Sequence, residues 1–187
     1  MYVLKTQRLT LRPVVSGDAA ALFLMRGHPE YLARAGGDPF YDIAPVRRMI
    51  SGMAQGNTDG TACCLSVVLD DTVIGLVELF RVKQGTRPGR DWSLGFGLAQ
   101  PFWRQGYMTE ALHAVLPAIY LLGAHRIVAE VSPHNLASGN LLASIGFKME
   151  GTQREKGFWG GKNHDLISYA LLRSHYEAQL DQQPATA

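Results

Sequence analysis

The chain is short of cysteine, of unbalanced charge and of long apolar runs, and each shortage excludes something. Its only cysteines are the neighbours Cys63 and Cys64. On a strand their side chains point to opposite faces, which argues against a mutual disulfide and fits a reducing compartment. Lysine and arginine number 18 against 16 aspartates and glutamates, a balance of +2 with no block of like charge, so no nucleic-acid partner is expected. No apolar run approaches the roughly 20 residues of a membrane span, and the start, MYVLKTQRLTLRP, lacks an apolar signal-peptide core. No membrane partner and a cytoplasmic location are therefore expected. The six histidines have no metal-ligand spacing, and no metal is assigned.

What is present is a chain of 187 residues, 47% of them apolar, enough to bury one core. One domain over residues 1–180, with a disordered tail at 181–187, is the expectation. Alternation of Leu9 and Leu11 with Thr10 and Arg12 predicts a strand from Leu4 to Val14. A helix capped by Ser16 or Asp18 follows, carries Leu22, Phe23 and Met25, and closes at Gly27 and Pro29. Val46, Met49, Ile50 and Met53 mark a helix over Pro45 to Gln55. Thr61 to Leu69 and Thr72 to Phe80 form a hairpin turning at Asp70-Asp71. Lys83 to Arg90 reads as a polar loop and Trp92 to Leu98 as a strand.

Thr109 to Leu122 is amphipathic, although Pro117 should kink or split that helix. Arg126 to Val131 is a strand, Leu136 to Ile145 a helix ended by Gly146, and Phe147 to Gln153 a strand. A hairpin at Trp159-Gly160-Gly161 leads to a last strand, His164 to Leu172. Strands outnumber helices and alternate with them, the pattern of an α/β mixed sheet covered by helices.

Two windows carry the chemistry. In WSLGFGLAQPFWRQGYMTEALHAVL a strand feeds a tight turn and a helix, so the amides of Arg104 to Thr109 face an anion at a helix N-terminus. Gly106 permits close approach and Arg104 adds a cation. Gly95-Phe96-Gly97 lies within the strand, with no third glycine opening a helix, and is no dinucleotide fingerprint. In HRIVAEVSPHNLASGNLLASIGF, Asn135 is placed to cap a helix whose first turn carries Ser138 and Asn140. If the two strands are neighbours, both turns open onto one crevice.

The run from Trp92 to Leu172 resembles the GNAT acetyltransferases, in particular the Rim-type branch that modifies ribosomal-protein amino termini. The features that carry the resemblance are PFWRQGYMTEAL, the HRI strand, Asn135-Leu136-Ala137-Ser138, the Ile145-Gly146-Phe147 corner and Asn163-His164-Asp165, with the Leu9 to Asp18 opening similar too. The resemblance implies the GNAT acyl-CoA N-acyltransferase fold, with about seven mostly antiparallel strands in the mixed sheet. It also implies acetyl-coenzyme A as cosubstrate. The amides of Arg104, Gln105, Gly106, Tyr107, Met108 and Thr109 would hold its pyrophosphate, and Gly97, Leu98 and Ala99 with Asn135 its pantetheine arm. Ser138 would stand beside the thioester sulfur, to protonate or hydrogen-bond the leaving thiolate, and Asn140 would lie within reach of the cofactor. Trp103 opens the cofactor pattern where the superfamily has Gln or Arg, and Met108 closes it where Gly or Ala is usual.

The expected reaction is direct attack of a neutral primary amine on the thioester, through an oxyanion that backbone N-H groups stabilise. A peptide α-amine, with pKa about 7.7 to 8.0, needs less of a base than a lysine at about 10.4. Glu78 is the first candidate base, on a strand face shared with Ile74, Leu76 and Phe80, and Glu130 the second. His164 and Asp165 face opposite ways and are not a relay. A non-catalytic acyl-coenzyme A binding protein stays open beside the enzyme, as do a small-molecule acceptor and a homodimer through the sheet edge or terminal hairpin.

Overall fold

A computed structural model describes residues 3–82 and 90–181. The expected loop at 83–90, apart from Arg90, and the expected tail, apart from Asp181, lie outside the described residues.

Among the described residues eight strands make one sheet. The strands are β1 (Leu4–Lys5), β2 (Thr10–Pro13), β3 (Ala62–Leu69), β4 (Thr72–Arg81), β5 (Asp91–Leu98), β6 (Arg126–Val131), β7 (Lys148–Trp159) and β8 (Lys162–Leu172). Their order is β1-β2-β3-β4-β5-β6-β8-β7, antiparallel except between β5 and β6. The helices are α1 (Ala19–Gly27), α2 (Pro29–Ala35), α3 (Ala44–Asp59), α4 (Tyr107–Leu121), α5 (Leu136–Ser144) and α6 (Arg173–Asp181). This is the mixed, mostly antiparallel sheet that the resemblance implied, with eight strands where about seven were expected, because the opening strand is split into β1 and β2. Among the described residues no helix is long and apolar enough to cross a membrane.

The sheet separates two apolar clusters. One joins Trp92, Ile127 and Val77 to α4 and α5; the other joins Cys64 and Leu76 to α1 and α3. Cys63 packs in the first and Cys64 in the second, as alternation along a strand requires. Between Asp70 (φ 44°) and Asp71 (φ 63°), and again between Gly160 (φ 58°) and Gly161 (φ 69°), paired left-handed residues make the tight turns that match the twist of a hairpin.

Several boundaries differ from expectation for local reasons. The first predicted strand is two, because the Thr6 hydroxyl accepts from the Leu9 amide at 2.9 Å and turns the chain back on itself. Asp18 gives α1 no side-chain cap; its carboxylate instead accepts from Arg12 (2.6 Å), Ser66 (2.6 Å) and the Val15 amide (3.0 Å). The first helix ends at Gly27 as expected, but Pro29 then starts a further helix, α2, where a missing N-H costs nothing. Pro117 leaves α4 continuous. It and His113, whose carbonyl loses a helical partner, both face solvent, where the lost bond is not buried and costs little. Ile74 sits at a β-bulge opposite Val67 and Val68 and packs with the first cluster, whereas Leu76 packs with the second. It therefore does not share a face with Glu78.

Candidate active site

The parallel pair β5 and β6 holds its register only at Asp91–Arg126, Trp92–Ile127 and Ser93–Val128. Beyond these residues the strands part, β5 continuing to Leu98 along β4 and β6 to Val131 along β8. The carboxyl ends of two neighbouring strands thus open a crevice, and each feeds a helix, α4 from β5 and α5 from β6. A cavity of about 310 Å³ fills it. Gly97, Leu98, Arg104, Gly106, Tyr107, Met108, Thr109, Asn135 and Ser138 line this one cavity, so the two windows separated in sequence meet in space.

At the α4 end the chain reverses through Arg104 (φ 59°) and Gly106 (φ 80°), both left-handed. For Arg104 that conformation costs about 1 kcal/mol. The Glu110 amide makes the first helical bond back, to the Gly106 carbonyl at 3.0 Å. The amides of Tyr107, Met108 and Thr109 therefore have no carbonyl one turn behind them and are free to bind an anion at the positive end of the helix. Met108 is 5% exposed and its side chain packs in the main core. Its bulk is absorbed inward and the turn needs only its backbone. Trp103 donates from its indole to the Leu98 carbonyl at 2.7 Å, which ties the turn to the end of β5, and the Arg34 guanidinium stacks over its ring at 4.8 Å.

A second cavity, of about 220 Å³, adjoins the first and is lined by Arg26, Glu78, Glu130 and Ser132 among others. Asn135, Ser138, Tyr31 and Phe96 lie in the wall common to both. Asn135 caps α5 as expected, its Oδ1 accepting from the Ser138 amide at 3.2 Å, which leaves the side-chain amide nitrogen for a ligand. Glu78 accepts from Arg26 at 2.5 Å. Glu130 accepts from Gln153 at 2.9 Å and has Lys156 at 3.9 Å. His164 stacks on Trp159 with ring centroids 3.9 Å apart, while Asp165 accepts from the Glu155 amide at 2.8 Å; the pair engages different partners.

Three residues predicted for the cofactor do not line the crevice. The Ala99 amide is spent on the Ile74 carbonyl at 2.8 Å. Gln105 is exposed and its side chain donates to the Pro101 carbonyl at 2.9 Å. Asn140 is exposed on α5, past the first turn. Conversely Arg26, Tyr31 and Arg34, from α1 and α2, line the cavities without having been singled out. Burial raises the Tyr31 phenol, with Arg26 opposing and Glu78 adding to the shift, so it is a neutral hydroxyl at ordinary pH.

Fold and site together define a class: the chain belongs to the acetyltransferase (GNAT) domain family, whose model matches residues 8–148. That family is one of acetyl-coenzyme A dependent N-acetyltransferases, and the chain is an enzyme of this kind. Among particular relatives, it is 31% identical to the uncharacterized N-acetyltransferase p20 of Bacillus licheniformis, over 94% of this chain and 99% of that protein. It is 37% identical to the ribosomal protein uS5 alanine N-acetyltransferase of Escherichia coli, over 53% of this chain and 50% of that protein. Among solved structures, RimJ of Mycobacterium smegmatis in complex with coenzyme A disulfide superposes with a TM-score of 0.77 at 25% identity, covering 89% of this chain and 82% of that one. The RimL ribosomal L7/L12 α-N-protein acetyltransferase in complex with coenzyme A has the same fold, with a TM-score of 0.79 at 21% identity, covering 91% of this chain and 98% of that one.

Proposed function

We propose that the chain transfers an acetyl group from acetyl-coenzyme A to the α-amine of a peptide in the cytoplasm, by direct attack in a ternary complex. The observation that carries this reading is the wall shared by the two cavities, with Ser138 and Asn135 in it. A thioester in the first cavity and an amine in the second would meet there.

The donor fits the first cavity chemically. Free amides at Tyr107 to Thr109 suit the diphosphate, and the length of β5 left unpaired by β6 offers main-chain partners to the amides of the arm. Asn135 would bind the arm from the α5 side. The reaction forms a C-N bond as the amine adds to the thioester carbonyl, and it breaks the C-S bond as the tetrahedral intermediate collapses. Main-chain N-H groups stabilise the oxyanion by a few kcal/mol, and Ser138 donates a hydrogen bond to the departing thiolate. The ammonium proton leaves through the second cavity, towards Glu78 and Glu130.

The α-amine is favoured over a lysine amine because it loses its proton near pH 8 and needs little help from a base, whereas a lysine amine near 10.4 needs much more; a carboxyl group that lines the second cavity, Glu78, is already engaged by Arg26. The relative named as a ribosomal protein uS5 alanine N-acetyltransferase points the same way. Met108, where the family pattern has Gly or Ala, is accommodated in the core, so this departure gives no support to a protein that binds the coenzyme without turning it over.

The test is mass spectrometry of peptides with Ala or Ser at a free amino terminus, beside the same peptides blocked at that terminus but carrying lysine, and beside a polyamine panel. Acetylation of the free-terminus peptides alone is expected. Turnover confined to lysine or polyamines would contradict the α-amine, and coenzyme A binding without turnover on any amine would contradict catalysis.

A further inference from the structure

The turn that opens α4 is not held by its own segment alone. Arg8, in the turn between β1 and β2, donates from Nε to Glu110 Oε2 at 2.7 Å and from Nη1 to the Gln105 carbonyl at 3.0 Å. Its guanidinium carbon lies 4.4 Å from the centroid of the Tyr107 ring. The other Glu110 oxygen accepts from the Arg8 amide at 2.9 Å and from the Thr6 hydroxyl at 2.5 Å. Arg8 Nη2 comes within 3.4 Å of where a Cβ on Gly106 would stand. One side chain therefore touches Gln105, Tyr107 and Glu110 and passes beside Gly106.

Two physical consequences follow. Arg104 and Gly106 are both left-handed, a conformation that for arginine persists only when the surroundings over-determine it; the two bonds from Arg8 supply that restraint. In addition, Glu110 stands in the first turn of α4, where its negative charge would repel an incoming phosphate. Paired with the Arg8 cation, it does not.

We propose that Arg8 is a positioning residue for the donor, acting through Gln105 and Glu110 to hold the α4 turn in the geometry that receives the coenzyme diphosphate. This rests on the donor placement proposed above. Lysine at this position keeps the charge but cannot make both bonds, so the fork and not the charge alone carries the effect.

The experiment measures the affinity of the full-length protein for coenzyme A and for pantetheine, which lacks the diphosphate and nucleotide, by calorimetry with competition for the weaker ligand. For the unsubstituted protein, coenzyme A should bind far tighter than pantetheine. In Arg8→Ala and Arg8→Lys the coenzyme A affinity should fall about tenfold, the size of one charge-assisted contact, with pantetheine affinity and melting temperature unchanged. Equal losses for both ligands, or no loss, would overturn the role of Arg8, as would full recovery in Arg8→Lys. If the unsubstituted protein binds both ligands equally, the donor placement itself fails.

Discussion

Arg26 Nη2 lies 2.5 Å from Glu78 Oε2 at the edge of the second cavity, each side chain only partly exposed, at 21% and 16%. The pair joins α1 to β4 and sets the Glu78 carboxyl group beside the site proposed for the amine.

If Glu78 receives the amine proton, Glu78→Gln should cost most where the amine is protonated. The ratio of kcat/KM between the unsubstituted protein and the variant should grow as pH falls from 9 to 6, measured with a peptide whose α-amine has pKa about 8. A ratio that stays flat across pH would assign Glu78 to holding Arg26 rather than to proton transfer.

Ser138 and Asn135 should separate by what each loses. Ser138→Ala should lower kcat by about tenfold to a hundredfold with donor affinity within twofold, the pattern of an interaction made only in the transition state. Asn135→Ser keeps an α5 cap, whereas Asn135→Ala loses one worth about 1 kcal/mol. Both should weaken coenzyme A binding, and only the alanine should lower the melting temperature. Unchanged coenzyme A affinity in Asn135→Ser would confine that residue to capping.

The cysteines should be inert. Burial raises the Cys63 thiol to about 11 and the Cys64 thiol to about 12, so neither carries an appreciable thiolate near pH 8. A disulfide reagent at pH 8 should detect no reactive thiol until denaturant is added, and no acetyl-enzyme should accumulate with acetyl-coenzyme A. A burst of acetylation on either cysteine would contradict direct transfer.

Acid should unfold the protein partly through Asp18. Burial alone would raise that carboxyl, but hydrogen bonds from Arg12, Ser66 and the Val15 amide outweigh burial and hold it below its ordinary value. A depressed carboxylate contributes stability that is complete above the unfolded pKa of about 3.9 and is lost as pH falls through the lower folded value. Asp18→Asn should therefore lower stability at pH 7 and flatten its decline below about pH 4. Denaturant titrations at several pH values check this; an unaltered acid limb would contradict it.

The sheet, its hairpins and the two strand-turn-helix windows were legible because they are periodic and punctuated: Asp70-Asp71, Gly106 and Gly146 mark real reversals. What escaped depends on contacts across the chain. The α2 helix was hidden because Gly27 and Pro29 mark the end of α1 and Gly36 follows within seven residues of α2's start, and α6 carries little apolar periodicity, docking through the Tyr120–Tyr176 stack at 4.6 Å. Tyr31 escaped for a related reason: its hydroxyl would lie 2.5 Å from a Cβ on Gly97, so that glycine is a close approach made by a helix 66 residues away in sequence. Arg8 reaches the α4 turn over an interval of 97 to 102 residues. No local pattern encodes such a meeting.

The claim on which the rest depends is that the coenzyme lies between the parted ends of β5 and β6. A crystal structure with coenzyme A tests it directly. The account predicts the diphosphate on the amides of Tyr107, Met108 and Thr109, the pantetheine arm along β5, and the sulfur beside Ser138. Density for the coenzyme on another surface, with the crevice empty, would contradict it.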